Sequence, residues 1–354
     1  MSARLAVDTA PATTLHITPH DGNATGWDEF VAQAEGSTFC HCAAWREVLR
    51  DSLGAESYDL VARDGGGAIR GVLPLARVRS LLFGDYLVSL PFLNAGGPLG
   101  DATARDRLIR HATALARRLG VDLLELRCRE APTSGAVQVV PRKLTVLLAL
   151  PPSAAELWER FPAKLRSQIR RPQKEGLEAR FGLEERHAFY QVFARHMRDL
   201  GTPVLPREFF ERVAQRLRDL VVFGAVYRGA EPVAAGCGFL WRGEMEITWA
   251  SALRAHQRLA PNMQLYWAFL EQAIARGARV FDFGRCTPGG GTHYFKRQWG
   301  GADVPLPWAQ WSPRDGHATP SPARPVYRAA AAVWRRLPLF LTKRLGPPLA
   351  RRLP

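Results

Sequence analysis

The chain has no stretch of 18 uninterrupted apolar residues, which argues against a membrane-spanning helix. Its start, "MSARLAVDTAPATTLHITPHDG", has no apolar run of signal-peptide type. Together these absences point to a cytoplasmic protein. Cysteine is sparse and odd in number: Cys40, Cys42, Cys128, Cys237 and Cys286 suit a reducing compartment better than a disulfide scaffold. Cys40, His41 and Cys42 are too close together for an ordinary structural zinc site, and no CxxC pair accompanies them, so no metal is expected. Acids are scarce relative to bases, 33 against 48, and the formal charge of +15 implies an anionic partner. A nucleic acid, a membrane surface and a phosphorylated substrate all satisfy it. Familiar catalytic signatures are missing as well. GxxxxGK[ST] and GxGxxG are absent, since Lys296 comes five residues after Gly291 and is followed by Arg297. There is no GxSxG elbow and no spaced His–acid set for a covalent nucleophile.

What is present is a globular composition, 47% hydrophobic and 23% charged, over 354 residues, a length comfortable for two domains. "GWDEFVAQAEGSTFCHCAAWREVLRDSLG" has two helical patterns, the second starting after Thr38 and running through Trp45 and Val48. "ESYDLVARDGGGAIRGVLPLARVRS" reads as a hairpin turning at Gly65–Gly67. "ATARDRLIRHATALARRLG" is an amphipathic helix ending at Gly120, and the strand "VDLLELRCRE" follows it.

The same order then recurs. Strands within "DLVVFGAVYRGAEPVAAGCGFLWRGEMEITWASA" turn at Arg228–Gly229 and Arg242–Gly243, "NMQLYWAFLEQAIARG" is a helix ending at Gly277, and "ARVFDFGRC" is the next strand. "HATALARRLGVDLLELRC" and "AFLEQAIARGARVFDFGRC" share helix, glycine, apolar strand with an acid, then Arg–Cys. Two α/β domains of one type are the simplest reading.

Between the units, a helix over about 154–171 carries Lys164, Arg166 and Arg170, and Pro172 should end or bend it. Its basic face is either a solvated surface or a clamp for phosphates. From Arg324 onward there are eight basic residues and no acid, more than half of the net charge. This tail can rest on an anionic membrane or dock on the protein's own body. "PRDGHATPSP" before it reads as a linker.

The stretch "FDFGRCTPGGGTHYFKRQWG" is the densest in candidate chemistry. Alternation sets Asp282 and Gly284 opposite Phe281, Phe283 and Arg285. An acid between two phenylalanines needs a partner if it is buried.

With "SLPFLNAGGPLG", "RHMRDLGTPVLPREFF" and "PNMQLYWAFLEQAIARG", this stretch resembles the FemAB-related acyltransferases, in particular the branch associated with exosortase/PEP-CTERM and polysaccharide systems. The resemblance runs over most of the chain. Cys286, where serine is commoner, and the open "GGG" depart from the pattern. It implies an α/β (α+β) fold of two tandem GNAT-like acyl-CoA N-acyltransferase domains, each a mixed sheet flanked by helices. The expected limits are 1–150 for the first, 151–312 for the second with the inserted basic helix, and 313–354 for the linker and tail.

The function it implies is transfer of an acyl or aminoacyl group to an amine of a cell-envelope or exopolysaccharide precursor. The donor would be acyl-CoA or aminoacyl-tRNA, with no tightly bound cofactor, no DNA partner, and a possible peripheral place at the inner face of the membrane. Two alternatives stand beside it: an acyl-CoA-dependent acetyltransferase of a soluble amino sugar or small amine, and a non-catalytic basic RNA-binding or structural protein. Such transfer needs no enzyme nucleophile, only an oriented neutral amine and a stabilised oxyanion. Asp282 or Glu246 is the candidate for holding or deprotonating the amine. Lys296, and less strongly Tyr294, would bind phosphate or steady the oxyanion. Arg285 grips substrate or an adjacent acid, and Ser89, Asn94 and Gly97 would line the acceptor cleft. Arg198, Asp199 and Thr202 lie on a matching stretch without separable roles.

Overall fold

The computed structural model describes residues 14–80, 84–313 and 325–353. Strand β1 (His16–Pro19) leads to helices α1 (Ala24–Gln33) and α2 (Ala44–Leu53). Then come β2 (Glu56–Ser57), β3 (Leu60–Arg63), β4 (Ile69–Leu73), β5 (Ala76–Ser80), β6 (Gly84–Val88) and β7 (Leu99–Gly100). Helix α3 (Ala102–Leu119), β8 (Leu123–Leu126) and the long β9 (Gln138–Ala149) complete the first half. The second half opens with α4 (Ala154–Arg160), α5 (Ala163–Lys174), β10 (Leu177–Phe181), α6 (Arg186–Leu200) and α7 (Arg207–Arg216). It continues through β11 (Val221–Arg228), β12 (Glu231–Trp241), β13 (Glu244–Ala252), α8 (Pro261–Ala275), β14 (Val280–Asp282), α9 (Gly291–Arg297) and β15 (Ala302–Trp311). Helices α10 (Pro325–Trp334) and α11 (Leu339–Ala350) form the tail.

The internal repeat is structural. In each half a strand, a helix and a parallel strand form one crossover: β6–α3–β8 pairs Val88 with Glu125, and β13–α8–β14 pairs Glu246 with Asp282. Both helices give way to a left-handed glycine, Gly120 at φ 65° and Gly277 at φ 76°. The halves are joined by exchanged strands. The large sheet runs β10-β11-β12-β13-β14-β9-β15-β8-β6-β5-β2. Thus β9, from before the midpoint of the chain, flanks β14, while β15, from near the end, flanks β8. The remaining strands β1, β3, β4 and β7 form a separate four-stranded sheet.

Alternation along β12–β14 separates two cores. Met245, Ile247, Phe281 and Phe283 face α4, α5 and α8 in a cluster with Trp267, Phe269 and Trp299. The other face meets α2, α6 and α7 through Trp45, Phe209, Phe210, Phe239 and Trp249, with Phe39 stacked on Phe239 at 4.2 Å between ring centroids. This second core holds residues of both halves. Glu246 and Asp282, opposite in alternation to the first cluster, look toward the junction of the halves.

Some local expectations are revised. The single helix expected near 154–171 is two, broken at Pro162, which caps α5; Pro172 sits inside the last turn of α5 without ending it. The pattern after Thr38 begins with a 3-10 turn, Phe39–His41, capped by the Thr38 side chain, before α2 starts. The linker expected at 313–322 lies outside the described residues beyond Pro313. The tail docks: Thr342, Gly346 and Ala350 are buried, α11 packs on α6, Lys343 lies over the Tyr190 ring, and Arg335 donates to the Leu200 carbonyl at 3.2 Å. No helix among the described residues is long and apolar enough to cross a membrane.

Candidate active site

Glu246 and Asp282 sit side by side on parallel strands, and both are almost fully buried. Beyond this pair the strands part. β13 runs on to Ala252 along β12, whereas the chain after Asp282 turns at Gly284 (φ 73°) and bridges Leu144 of β9 through Cys286. A side chain at Gly284 would meet the Ile247 carbonyl at 2.6 Å, so only glycine fits the point of divergence. A crevice beyond the carboxyl ends of parallel strands is a favoured place for a ligand in open α/β sheets.

The two carboxyls differ in their partners. Asp282 is held on three sides, by the Thr145 hydroxyl, by the Gly284 N–H at 2.7 Å and by Arg129 at 3.4 Å. Arg129 also makes a two-toothed ion pair with Glu244. Glu246 accepts from Asn94 at 2.7 Å and Thr248 at 2.8 Å, both on Oε1, while Oε2 makes no hydrogen bond among the described residues. Burial, reinforced by the neighbouring Asp282 charge, pushes the Glu246 carboxyl up to about 8. Burial also raises Asp282, against the pull of Arg129. A carboxyl with a free oxygen and an affinity for protons near neutrality is suited to general-base work.

Asn94 comes from the first half. The segment 89–97 lies along the end of β8: the Ser89 N–H donates to the Glu125 carbonyl at 2.9 Å, and the Ser89 hydroxyl accepts from the Arg127 N–H at 2.7 Å. Arg127 donates to the Leu90 and Leu93 carbonyls at 3.1 and 2.8 Å. Two non-glycine residues there are left-handed, Leu90 at φ 63° and Phe92 at φ 69°, a strained conformation maintained by these contacts. Gly97 abuts Cys128, and its carbonyl meets the buried His41 ring at 3.0 Å, beside a cavity of about 110 Å³ that Arg129 also lines.

Lys296 is buried, and its ammonium donates to the Gly284 and Arg285 carbonyls at 2.5 and 3.1 Å, tying α9 to the turn after Asp282. Burial lowers its pKa. Arg285 lies over the Trp308 ring. The expected alternation fails here. Left-handed Gly284 inserts a step, so Phe283 keeps to the aromatic core while Arg285 joins Arg127 and Trp308 on the other side. Tyr294 is 67% exposed on α9 beside His293, away from the carboxyl pair. Arg198 and Asp199 pair with each other at 2.8 Å at the end of α6, and Thr202 closes that helix through its N–H. Lys164, Arg166 and Arg170 lie on α5, which packs on α8 behind the sheet. Lys164 is exposed, Arg166 pairs with Glu159 at 2.9 Å, and Arg170 lies over Trp158.

Sequence reasoning overlooked Arg129, Glu244, Thr145, Thr248, Arg127 and Trp308. Of these only Arg127 carried a signal: the "LELRCRE" echo of "FDFGRC" marks it as the counterpart of Arg285. Thr145 and Trp308 come from the exchanged strands, whose pairing no local pattern announces.

Residues 160–297 match the family described as an acetyltransferase (GNAT) domain. No curated protein matches the sequence significantly. Among solved structures, the chain is similar to FemX at 12% identity, over 84% of this chain and 97% of that one, with a TM-score of 0.65. It is similar to the C-terminal domain of a putative lysylphosphatidylglycerol synthetase from Agrobacterium fabrum at 12% identity, over 87% and 95%, with a TM-score of 0.54. A tandem GNAT protein from the clavulanic acid biosynthesis pathway matches at 14% identity, over 85% and 100%, with a TM-score of 0.51. At such identities the likeness is one of fold, and the fold is a mixed α/β arrangement of tandem GNAT-like units.

Proposed function

We propose that this GNAT-type chain is an N-acyltransferase in which Glu246 takes the proton from an acceptor amine. The observation that carries this reading is the buried Glu246 carboxyl, with Oε2 free, at the point where β13 and β14 part. The amine nitrogen attacks the donor carbonyl carbon, the carrier leaves with its bonding pair, and the amine proton passes to Glu246. Asp282, fixed by three donors, keeps the proton affinity of Glu246 high, and Asn94 and Thr248 aim its carboxyl. Lys296 holds the turn that carries Arg285.

The acceptor we favour is an amine of a cell-envelope or exopolysaccharide precursor, supported by the FemAB-like stretches in the sequence and the FemX-like fold. The GNAT match favours acyl-CoA as donor; the FemX likeness keeps charged tRNA in view. Incubating the protein with acyl-CoA or charged tRNA and candidate amines, and weighing the products, tests the reading. Equal product from wild type and Glu246→Gln would remove Glu246 from the mechanism, and no product with any donor would remove the activity.

A peripheral membrane contact belongs to the same proposal. On the docked tail Val333, Phe340 and Leu345 are exposed beside Arg335, Arg336 and Arg344, a pairing of apolar and basic groups suited to anionic lipid. Flotation with phosphatidylglycerol vesicles should recover wild type, and Phe340→Ser with Arg344→Glu should abolish recovery. Unchanged recovery counts against it.

A further inference from the structure

Arg127 and Arg285 occupy matching places in the two units. Each follows the acid of its crossover strand and directly precedes a cysteine, Cys128 or Cys286. Both guanidiniums lie over the one indole of Trp308, at 4.7 and 4.9 Å from the ring centroid. Their partners differ completely. Arg127 is well partnered: Nε donates to its own unit's acid, Glu125, at 2.9 Å, and Nη1 donates to two carbonyls. Gln310 donates to the other Glu125 oxygen at 3.0 Å, so that ion pair is closed.

Arg285 has no hydrogen bond and no ion pair among the described residues. Its own unit's acid, Asp282, is turned to Thr145, Gly284 and Arg129. The difference traces to Gly284, the one residue that "DFGRC" has and "ELRC" lacks. Two further groups around Arg285 await a partner of negative charge. The Trp308 Nε1 is buried without a hydrogen-bond partner among the described residues. Lys143, half-buried and bonded to Thr287 at 2.8 Å, adds a second cation, and burial and then Arg285 lower its pKa. A largely desolvated guanidinium with no acceptor is costly, and an oxyanion supplies what is missing.

We propose that Arg285, with Trp308 and Lys143 beside it, binds an oxyanion, a carboxylate or a phosphate, carried by the acceptor next to its reacting amine. The acceptor is then an anionic amine rather than a neutral amino sugar. This rests on the reading of Glu246 as the base on the amine side. The first unit's copy of the position is closed by Glu125 and serves as scaffold.

Calorimetric titration of the full chain with phosphoethanolamine, β-alanine and ethanolamine tests it without reference to turnover. At least one of the two anionic amines should bind about tenfold or more tightly than ethanolamine, and which one does so separates phosphate from carboxylate. Arg285→Gln should bring that ligand down to the level of ethanolamine, and Arg285→Lys should keep part of the difference, with thermal melts confirming that both variants fold. If Arg285→Gln is unfolded, Arg285→Lys and Lys143→Met carry the test, each expected to weaken the anionic amine severalfold and leave ethanolamine unchanged. Equal binding of all three amines, no binding of any, or affinities unchanged in the folded variants overturns the proposal. Anion binding that depends on Arg285 in a chain that transfers no acyl group would sink the transferase reading alone.

Discussion

At the scale of single residues, the two acids of the proposed site stand out in the sequence because of their settings. Asp282 stands between two phenylalanines, and Glu246 lies on a strand of alternating pattern. What the sequence could not disclose was how their surroundings differ, since that depends on partners far away in the chain: Asn94 is 152 residues from Glu246, and Thr145 is 137 from Asp282. Glu246 must be ionised to accept a proton. With its carboxyl raised to about 8, transfer at saturating donor should rise with pH to a midpoint near 8, and Glu246→Gln should lower it by about a hundredfold or more and flatten the limb. A pH–rate profile of both proteins checks this. Stability follows the opposite course. The fold favours the protonated carboxyl, so its contribution is full below the unfolded value of 4.5 and is lost as pH rises through about 8. Thermal melts should therefore show Glu246→Gln gaining on wild type between pH 5 and 9. A constant difference across that range would mean that Glu246 ionises as it does in the unfolded chain.

Elements were legible where local chemistry punctuates them. Gly120, Gly243 and Gly277 mark ends and turns at positive φ, and α3 and α8 end as their glycines require. The element misjudged is decided by tertiary contact, the break at Pro162; β14 is shorter than its pattern, and tertiary contact also decides the destination of the tail, which the pattern leaves open between a membrane and the protein's own body. For α11 the deciding contact is small. A side chain at Gly346 would meet the Val204 backbone nitrogen at 2.9 Å and its Cγ1 at 2.8 Å. Gly346→Leu should therefore lift α11 from α6 while leaving the sheet intact. Limited trypsin digestion is expected to remove the tail of this variant several times faster than that of wild type; equal rates would show that the docking tolerates the side chain.

For the whole molecule, the duplication could be read from the repeated helix–glycine–strand pattern, but the exchange of β9 and β15 could not, because strand partners at long range leave no periodic trace. With strands exchanged in this way, the halves are expected to unfold as one unit. Calorimetry should show a single transition, and a chain of residues 151–313, which lacks β9 beside β14, should give no cooperative melt. Phe239 joins the two halves through Phe39 and Trp45, so Phe239→Ala should cost about 3–5 kcal/mol in denaturant unfolding with the transition still single. Two resolved transitions in wild type would mean that the halves fold separately.

The segment 89–97 has a further consequence, one of stoichiometry. In the first unit it lies across the end of β8, its backbone bonded to Arg127 and Glu125, while its Asn94 reaches Glu246 of the second. On the proposed reading, with the end of β8 covered in this way, two units of matching pattern share one place for an acyl donor. Equilibrium dialysis against a non-hydrolysable acyl-CoA should saturate at a single equivalent per chain.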